Sequence, residues 1–389
     1  MTFKVLTLNN ISLRGLERLP RDRYEVASEF GQPDAVLVRS ADMHAMELPE
    51  SVKAVARAGA GTNNIPVAKL SKRGIPVFNA PGANANAVKE LVIAGMLVAA
   101  RNICHAWDYV RHLEGDDETL ATAVEQGKKQ FVGYELPGRT LGVVGLGAVG
   151  VQVANTALDL GMQVLGFDPQ ITVQRAWQLS AGVEQALSLD DLFARSDMVT
   201  VHAPLTEATR HLVDAKRLGV LKPGGVILNF ARAAIVDEQA VLDALDAGRV
   251  SAYVCDFPTV RLKNHPRVVA LPHLGASTRE AEENCAVMVV DTLRDFLEHG
   301  NIRNSVNFPE AVLPRTAGAT RLAIANENVP NIIGQISTAL AAENLNIADL
   351  LNKSRGELAY TLLDVDGAIP PGIVARLRGI AGVLAVRAL

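Results

Sequence analysis

Three glycines, in Gly145-Leu146-Gly147-Ala148-Val149-Gly150, stand between an apolar run at 141–144 and a proline-free, valine- and alanine-rich stretch at 151–160. This spacing constrains the fold more than any other feature of the chain. Strand, tight turn and helix use all three glycines at once. The first permits the turn, the second lets the backbone approach a ligand, and the third lets the helix pack close to the strand. Such a unit needs parallel neighbours, because a strand followed by a helix returns to the same sheet by a crossover.

The rest of the chain supplies those neighbours. Short apolar runs follow at 163–167, 198–202, 226–230, 253–256 and 268–271, separated by helical stretches such as 238–247. Residues 1–97 show the same alternation, with apolar runs at 5–8, 35–38, 54–56 and 75–78. Both series predict parallel βαβ layers. The run 87–101 reads as a helix able to bridge the two. The polar stretch 112–138 reads as a surface helix and loop. A long helical stretch, 278–299, follows the second series and is expected to return to the first domain. Two prolines among small and polar residues make 300–318 a linker. The last block reads strand 321–325, helix 330–343, strand 347–353, strand 358–364, helix 371–379, strand 383–387, which is the ferredoxin-like βαββαβ order. The expected fold class is α/β, with two Rossmann-like βαβ domains, 1–97 with 278–310 and 98–277, plus a ferredoxin-like block at 319–389.

A helix that opens on this loop offers free N–H groups and a positive dipole end to phosphates. Asp168 ends the next predicted strand, 18 positions after Gly150, where a carboxylate can accept from ribose hydroxyls and repel a 2′-phosphate. The cofactor expected is therefore NAD, bound by Gly145, Gly147, Ala148, Val149, Gly150 and Asp168.

Composition narrows the partners. The formal charge is −4 with acids and bases interspersed, and no basic stripe points to nucleic acid. The most apolar run, 91–100, is about half the length of a membrane helix, so no membrane partner is expected. Residues 1–10 read as a first strand and lack a signal peptide's long apolar core. Cys104, Cys255 and Cys285 lie far apart, so neither a disulfide framework nor a metal site is expected, and the cytosol is the expected compartment.

Nicotinamide chemistry on a small 2-hydroxy acid needs a cation for the carboxylate and an acid/base for the hydroxyl proton. Arg232, in Asn229-Phe230-Ala231-Arg232-Ala233, lies just past one predicted strand, and His273, in Leu271-Pro272-His273-Leu274-Gly275-Ala276, just past another. Ligands gather at such carboxyl ends in open α/β sheets.

These segments, with the Gly-rich loop, His202-Ala203-Pro204-Leu205-Thr206 and the stretch from Asn229 to Glu238, resemble the D-2-hydroxyacid dehydrogenases over residues 1 to about 310. Arg57-Ala58-Gly59-Ala60-Gly61-Thr62-Asn63-Asn64-Ile65, Phe78-Asn79-Ala80-Pro81-Gly82 and the stretch 301–309 carry a closer match, to those members that oxidise 3-phospho-D-glycerate to 3-phosphohydroxypyruvate, the first step towards serine. The last block resembles the ACT domain, a small-molecule sensor carried by such enzymes. The resemblance makes Arg232 and His273 catalytic and gives the substrate carboxylate to the N–H groups of Ala60 and Gly61. It brings Arg39 and Ser40 towards the phosphate. Ala203, Pro204, Ala231 and Ala276 would line the cofactor site, with Asp256 facing the nicotinamide carboxamide and His202 purely structural. In related sensing domains serine binds between subunits, which implies L-serine as an effector at Asn328 and Asn346. A homodimer, through the 278–299 region or the cofactor domain, or a homotetramer through the terminal blocks is implied, as is closure of a cleft between the two βαβ domains.

Three positions depart from the family pattern. Ala233 stands where a glycine usually follows the arginine, and Asn331 replaces a turn glycine in the last block. The glutamate that usually pairs with the histidine is missing, its place held by Val260. Either another acid, Asp256 being nearest, partners His273, or the pH optimum for reduction shifts down. Two rival readings remain, a dehydrogenase of this family with a non-phosphorylated substrate and an NAD-sensing protein similar to dehydrogenase-like corepressors.

Overall fold

A computed structural model of the chain describes residues 2–389. The first compact unit comprises residues up to Asn84 together with Arg279–Leu389. Its first sheet contains β1 (Phe3–Leu8), β2 (Tyr24–Ala27), β3 (Ala35–Val38), β4 (Ala54–Arg57) and β5 (Val77–Phe78). The five strands run parallel in the order β2-β1-β3-β4-β5. All four residues of β3 are buried, as a central parallel strand covered on both faces requires. The edge strand β2 escaped the sequence reading because its pattern is mixed, with only Tyr24 buried.

Helix Arg279–His299 lies on this sheet and buries Ala286, Val289, Val290, Leu293, Phe296 and Leu297, the three-and-four spacing of one helix face. The short helix Leu13–Leu16 crosses it so closely that a Cβ on Gly15 would overlap Ala286.

The second unit is Ala85–Thr278. Its strands are β6 (Thr140–Val144), β7 (Gln163–Phe167), β8 (Val183–Gln185), β9 (Met198–Val201), β10 (Gly225–Asn229), β11 (Val250–Cys255) and β12 (Val268–Ala270). They pair in parallel in the order β12-β11-β10-β9-β6-β7-β8. Chain direction across the sheet reverses between β6 and β9, the switch point at which such sheets bind ligands. Helix Ala85–Ala100 belongs to this unit, because Val88, Val92, Met96 and Ala100 share a core with Leu141, Val143, Leu228 and Val254. The unit therefore starts at residue 85, thirteen positions before residue 98, where the sequence reading begins it.

The C-terminal strands β13 (Ala319–Glu327), β14 (Ile347–Arg355), β15 (Leu358–Asp366) and β16 (Val383–Ala388) form an antiparallel sheet in the order β14-β15-β13-β16. Helices Ile332–Ala341 and Pro371–Arg378 complete the βαββαβ order. This sheet belongs to the first compact unit. Tyr360 donates its hydroxyl to the Gly300 carbonyl (2.8 Å), and Arg387 donates to the carbonyls of Phe296 (3.2 Å) and Leu297 (2.8 Å). Arg321, fully buried, pairs bidentately with Asp364 (2.6 and 2.8 Å) and ties down the linker through the Leu313 and Pro314 carbonyls. Among the described residues no helix is long and apolar enough to cross a membrane, and no group of three or more His, Cys, Asp or Glu could hold a metal ion.

Candidate active site

The glycine loop leaves β6 with Gly145 at φ +89, a left-handed conformation open to glycine. Gly145 N–H reaches the Phe167 carbonyl of β7 at 2.9 Å. Gly147 caps helix Ala148–Asp159, and a Cβ added there would meet no atom within 4 Å. The space beside this backbone is thus free for a ligand. A Cβ on Gly150 would collide with the Gly145 carbonyl, so the third glycine is fixed by helix–strand packing.

Asp168, at the end of β7, closes the loop. One oxygen accepts the Leu146 N–H and the other the Gln170 N–H, each at 2.8 Å. Each carboxylate oxygen retains a lone pair for a ribose hydroxyl. A cavity of about 350 Å³ opens here, lined by Gly145, Gly147, Asp168, Ala203, Pro204 and Thr206, and also by Thr209, which the sequence reading does not single out. Its size suits a nucleotide. Its donor set fits NAD: bare backbone at a helix N-terminus for the pyrophosphate, a carboxylate for the ribose, apolar walls for the base. His202 lines the same cavity, its ring bonded to the Thr200 hydroxyl at 3.0 Å and its pKa pushed down to about 4 by burial. It is thus held neutral.

Arg232 and His273 both follow carboxyl ends, of β10 and β12. Asn229, fully buried, positions the arginine loop. Its side chain donates to the Arg232 carbonyl (2.9 Å) and accepts from the Ala231 N–H (3.1 Å). A buried amide at the end of an apolar strand was the available signal for this residue. The Arg232 side chain is exposed, folded back onto the Ala231 carbonyl at 2.7 Å. Ala233 opens a 3-10 turn, Ala233–Ile235, without positive φ, so the alanine in place of glycine imposes no strain.

His273 is exposed and left-handed, φ +56, with its ring edge against Phe257 (5.3 Å between centroids). The expectation that Asp256 pairs with this imidazole requires correction. Asp256 is buried, and its two oxygens accept the N–H groups of Leu274 (2.7 Å) and Gly275 (2.8 Å). Orphan N–H groups just after a left-handed residue are the stronger claim on a buried carboxylate. Ala276 lies on the same loop, partly buried. Val260 is an exposed residue at the start of helix Val260–Lys263. Among the described residues no carboxylate forms an ion pair with His273.

In the first unit, Arg39 and Ser40 follow β3. Asn9, at φ +67 after β1, holds this turn by accepting from Ser40 N–H (3.3 Å) and Ala41 N–H (2.5 Å). Arg39 is paired with Glu282 at 2.5 Å, both about two-fifths exposed, so its guanidinium already has an anion. After β4, the Ala60 carbonyl accepts from the Asn79 amide (2.5 Å), while no described residue occupies the N–H groups of Ala60 and Gly61.

In the C-terminal sheet, Asn328 donates to the Gly356 carbonyl (3.0 Å) and Asn346 to Asp366 (2.7 Å). Both amides are tied within the sheet. Asn331 adopts φ +66, a left-handed conformation that asparagine tolerates as glycine does.

Residues 93–275 match the D-isomer specific 2-hydroxyacid dehydrogenase NAD binding domain. The chain is 33% identical over 350 residues to D-3-phosphoglycerate dehydrogenase of Methanocaldococcus jannaschii, covering 88% of this chain and 63% of the relative. It is 34% identical over 378 residues to D-3-phosphoglycerate dehydrogenase of Mycobacterium tuberculosis, covering 92% of this chain and 69% of the relative. The archaeal relatives are thus matched over less than two thirds of their length, 63% and 54%. Among solved structures, the NAD-bound 3-phosphoglycerate dehydrogenase of Entamoeba histolytica aligns with TM-score 0.60 and 26% identity, over 79% of this chain and 99% of that one. The glycine loop with its carboxylate, and Arg232 and His273 at carboxyl strand ends, all lie within the matched span, and the loop fits NAD. The chain belongs to the D-isomer specific 2-hydroxyacid dehydrogenase family.

Proposed function

We propose that the chain oxidises 3-phospho-D-glycerate to 3-phosphohydroxypyruvate with NAD, the entry step to serine. The observation that carries the redox half is the open glycine backbone at Gly147 beside the loop-closing carboxylate of Asp168. The substrate rests on the names of the relatives, D-3-phosphoglycerate dehydrogenases at a third identity over most of the chain. The cofactor, when bound, accepts the hydride that leaves C2. Arg232 holds the substrate carboxylate and polarises the C2 oxygen, and the N–H groups of Ala60 and Gly61 add donors to the carboxylate. His273 takes the C2 hydroxyl proton on oxidation and returns it on reduction. Arg39 and Ser40 receive the phosphate.

The Arg39–Glu282 ion pair favours a second reading, a 2-hydroxy acid without phosphate, because the guanidinium is already neutralised. One assay separates the two: NADH consumption with 3-phosphohydroxypyruvate beside hydroxypyruvate, 2-oxoglutarate and pyruvate. Preference for the phosphorylated ketone, lost in Arg39→Gln through KM, supports the proposal. Equal use of hydroxypyruvate overturns it. Turnover of none of the four supports an NAD-sensing role instead.

Helix Ile103–Arg111 buries none of its residues and exposes Ile103, Trp107 and Val110, which supports a homodimer through the second unit. Light scattering should return twice the 41.4 kDa chain mass; a monomer mass rejects it. L-serine is the effector proposed for the C-terminal sheet, through Asn328 and Asn346 after release of their present partners. No heat and no inhibition at millimolar serine would remove it. Three free thiols accord with a cytosolic setting, which cell fractionation checks.

A further inference from the structure

Within the first unit, a cavity of about 480 Å³ lies where the C-terminal sheet meets the edge of the first sheet, and its charge is one-sided. Arg73, Arg378, Arg387 and Lys53 line it, against a single carboxylate, Glu50. Lys53 is spoken for by Asp34 (2.6 Å). The three arginines are not. Arg73 donates to the Leu48 and Pro49 carbonyls (2.9 Å each), Arg378 to the Val386 carbonyl (3.1 Å), and Arg387 to the carbonyls of Phe296 and Leu297. No described residue makes an ion pair with any of the three. Carbonyls orient a guanidinium but do not neutralise it. The lining comes from both parts of the unit, since Arg73 follows helix Val67–Ser71 and Arg387 is on β16.

Unpaired cations gathered around one cavity repel each other and are costly to desolvate. Arg387 bears the cost most directly: burial lowers its pKa, and its guanidinium is stacked on the Phe296 ring at 4.5 Å. A multivalent oxyanion would relieve all three charges, and guanidinium forks suit phosphate and carboxylate alike. The volume falls in the range of small-metabolite pockets. We propose that this cavity is an effector site for a small multivalent oxyanion, a phosphorylated or polycarboxylate metabolite, whose binding locks the C-terminal sheet onto the first sheet.

The test is isothermal titration of the full chain at fixed ionic strength with two probes, pyrophosphate and citrate. Saturable one-site binding of at least one probe is expected. It should persist in Arg39→Gln, which removes the phosphate position proposed for the substrate, and weaken at least tenfold in Arg73→Gln/Arg378→Gln. Pyrophosphate without citrate indicates a phosphorylated ligand; the reverse indicates a polycarboxylate. Absence of binding for both probes in the unaltered chain overturns the proposal, whatever the variants do. So does binding lost in Arg39→Gln, or binding that survives in the double variant with its circular dichroism intact.

Discussion

Asp256 grips the backbone at Leu274: one carboxylate oxygen takes the Leu274 N–H at 2.7 Å, and the other takes the Gly275 N–H at 2.8 Å. His273 immediately precedes these bonds in a left-handed conformation. The aspartate therefore sets where the imidazole stands, without touching it. Asp256→Asn leaves one N–H facing an amide donor. Misplacement on this scale costs activity up to about a hundredfold. The kcat/KM for reduction should fall on that order while the midpoint of its pH profile stays in place. A displaced midpoint would mean that Asp256 acts on the imidazole charge after all.

The second prediction concerns Asp168. Its replacement by Ala removes the acceptor for Leu146 and Gln170 N–H and, on the proposed NAD site, the carboxylate that would repel a 2′-phosphate. KM for NADH should rise about tenfold, the equivalent of one charge-assisted hydrogen bond at 1.4 kcal/mol. The NADPH to NADH ratio of kcat/KM should rise as well. A ratio unchanged in steady-state assays would place the ribose elsewhere.

Arg321 and Asp364 offer a stability test. Burial alone would raise the Asp364 carboxyl, but the Arg321 guanidinium and the Thr316 N–H outweigh it and hold its pKa below the usual carboxylate range. The sign follows directly. The pair's contribution is complete above the ordinary carboxylate pKa and is lost as pH falls through the lowered one. Arg321→Met should cost about 3–5 kcal/mol in denaturant unfolding at neutral pH, since it strands a buried anion. Arg321→Met/Asp364→Leu should recover much of that loss. A single variant as stable as the parent would show that the pair is idle.

His202 predicts a different pH window. Its folded pKa of about 4 lies below the ordinary 6.5 because burial penalises the imidazolium. Stability is therefore unaffected above pH 6.5 and declines as pH falls from 6.5 towards 4, where the unfolded chain binds the proton first. The decline should reach about 2 kcal/mol, since the residue keeps part of its surface in solvent. His202→Gln should flatten the urea-denaturation curve over that interval alone. An identical slope in both proteins rejects this.

Much of the architecture is readable from apolar spacing. The glycine loop and the central parallel strands appear as patterns because those strands bury their own side chains, as the fully buried β3, β9 and β10 do, and in the βαββαβ block β13 and β15 do the same. The short edge strands β2 and β8 do not, since one face and one edge of each meets solvent and their residues are mixed. The helix Ala85–Ala100 was recognisable, but its allegiance was not. Small and apolar residues suit either unit, and only packing against Leu228 and Val254 decides.

By itself the sequence determined the cofactor loop, the carboxylate at Asp168, and the placement of Arg232 and His273 after strands, because each follows from local backbone rules and strand order. Tertiary structure decided which groups those residues meet. Asp256 turned out to serve two N–H groups, Arg39 met a carboxylate 243 positions away, and three arginines gathered around one cavity. Electrostatic partners come from segments remote in the chain, and charge falls off with distance in space, not along the sequence.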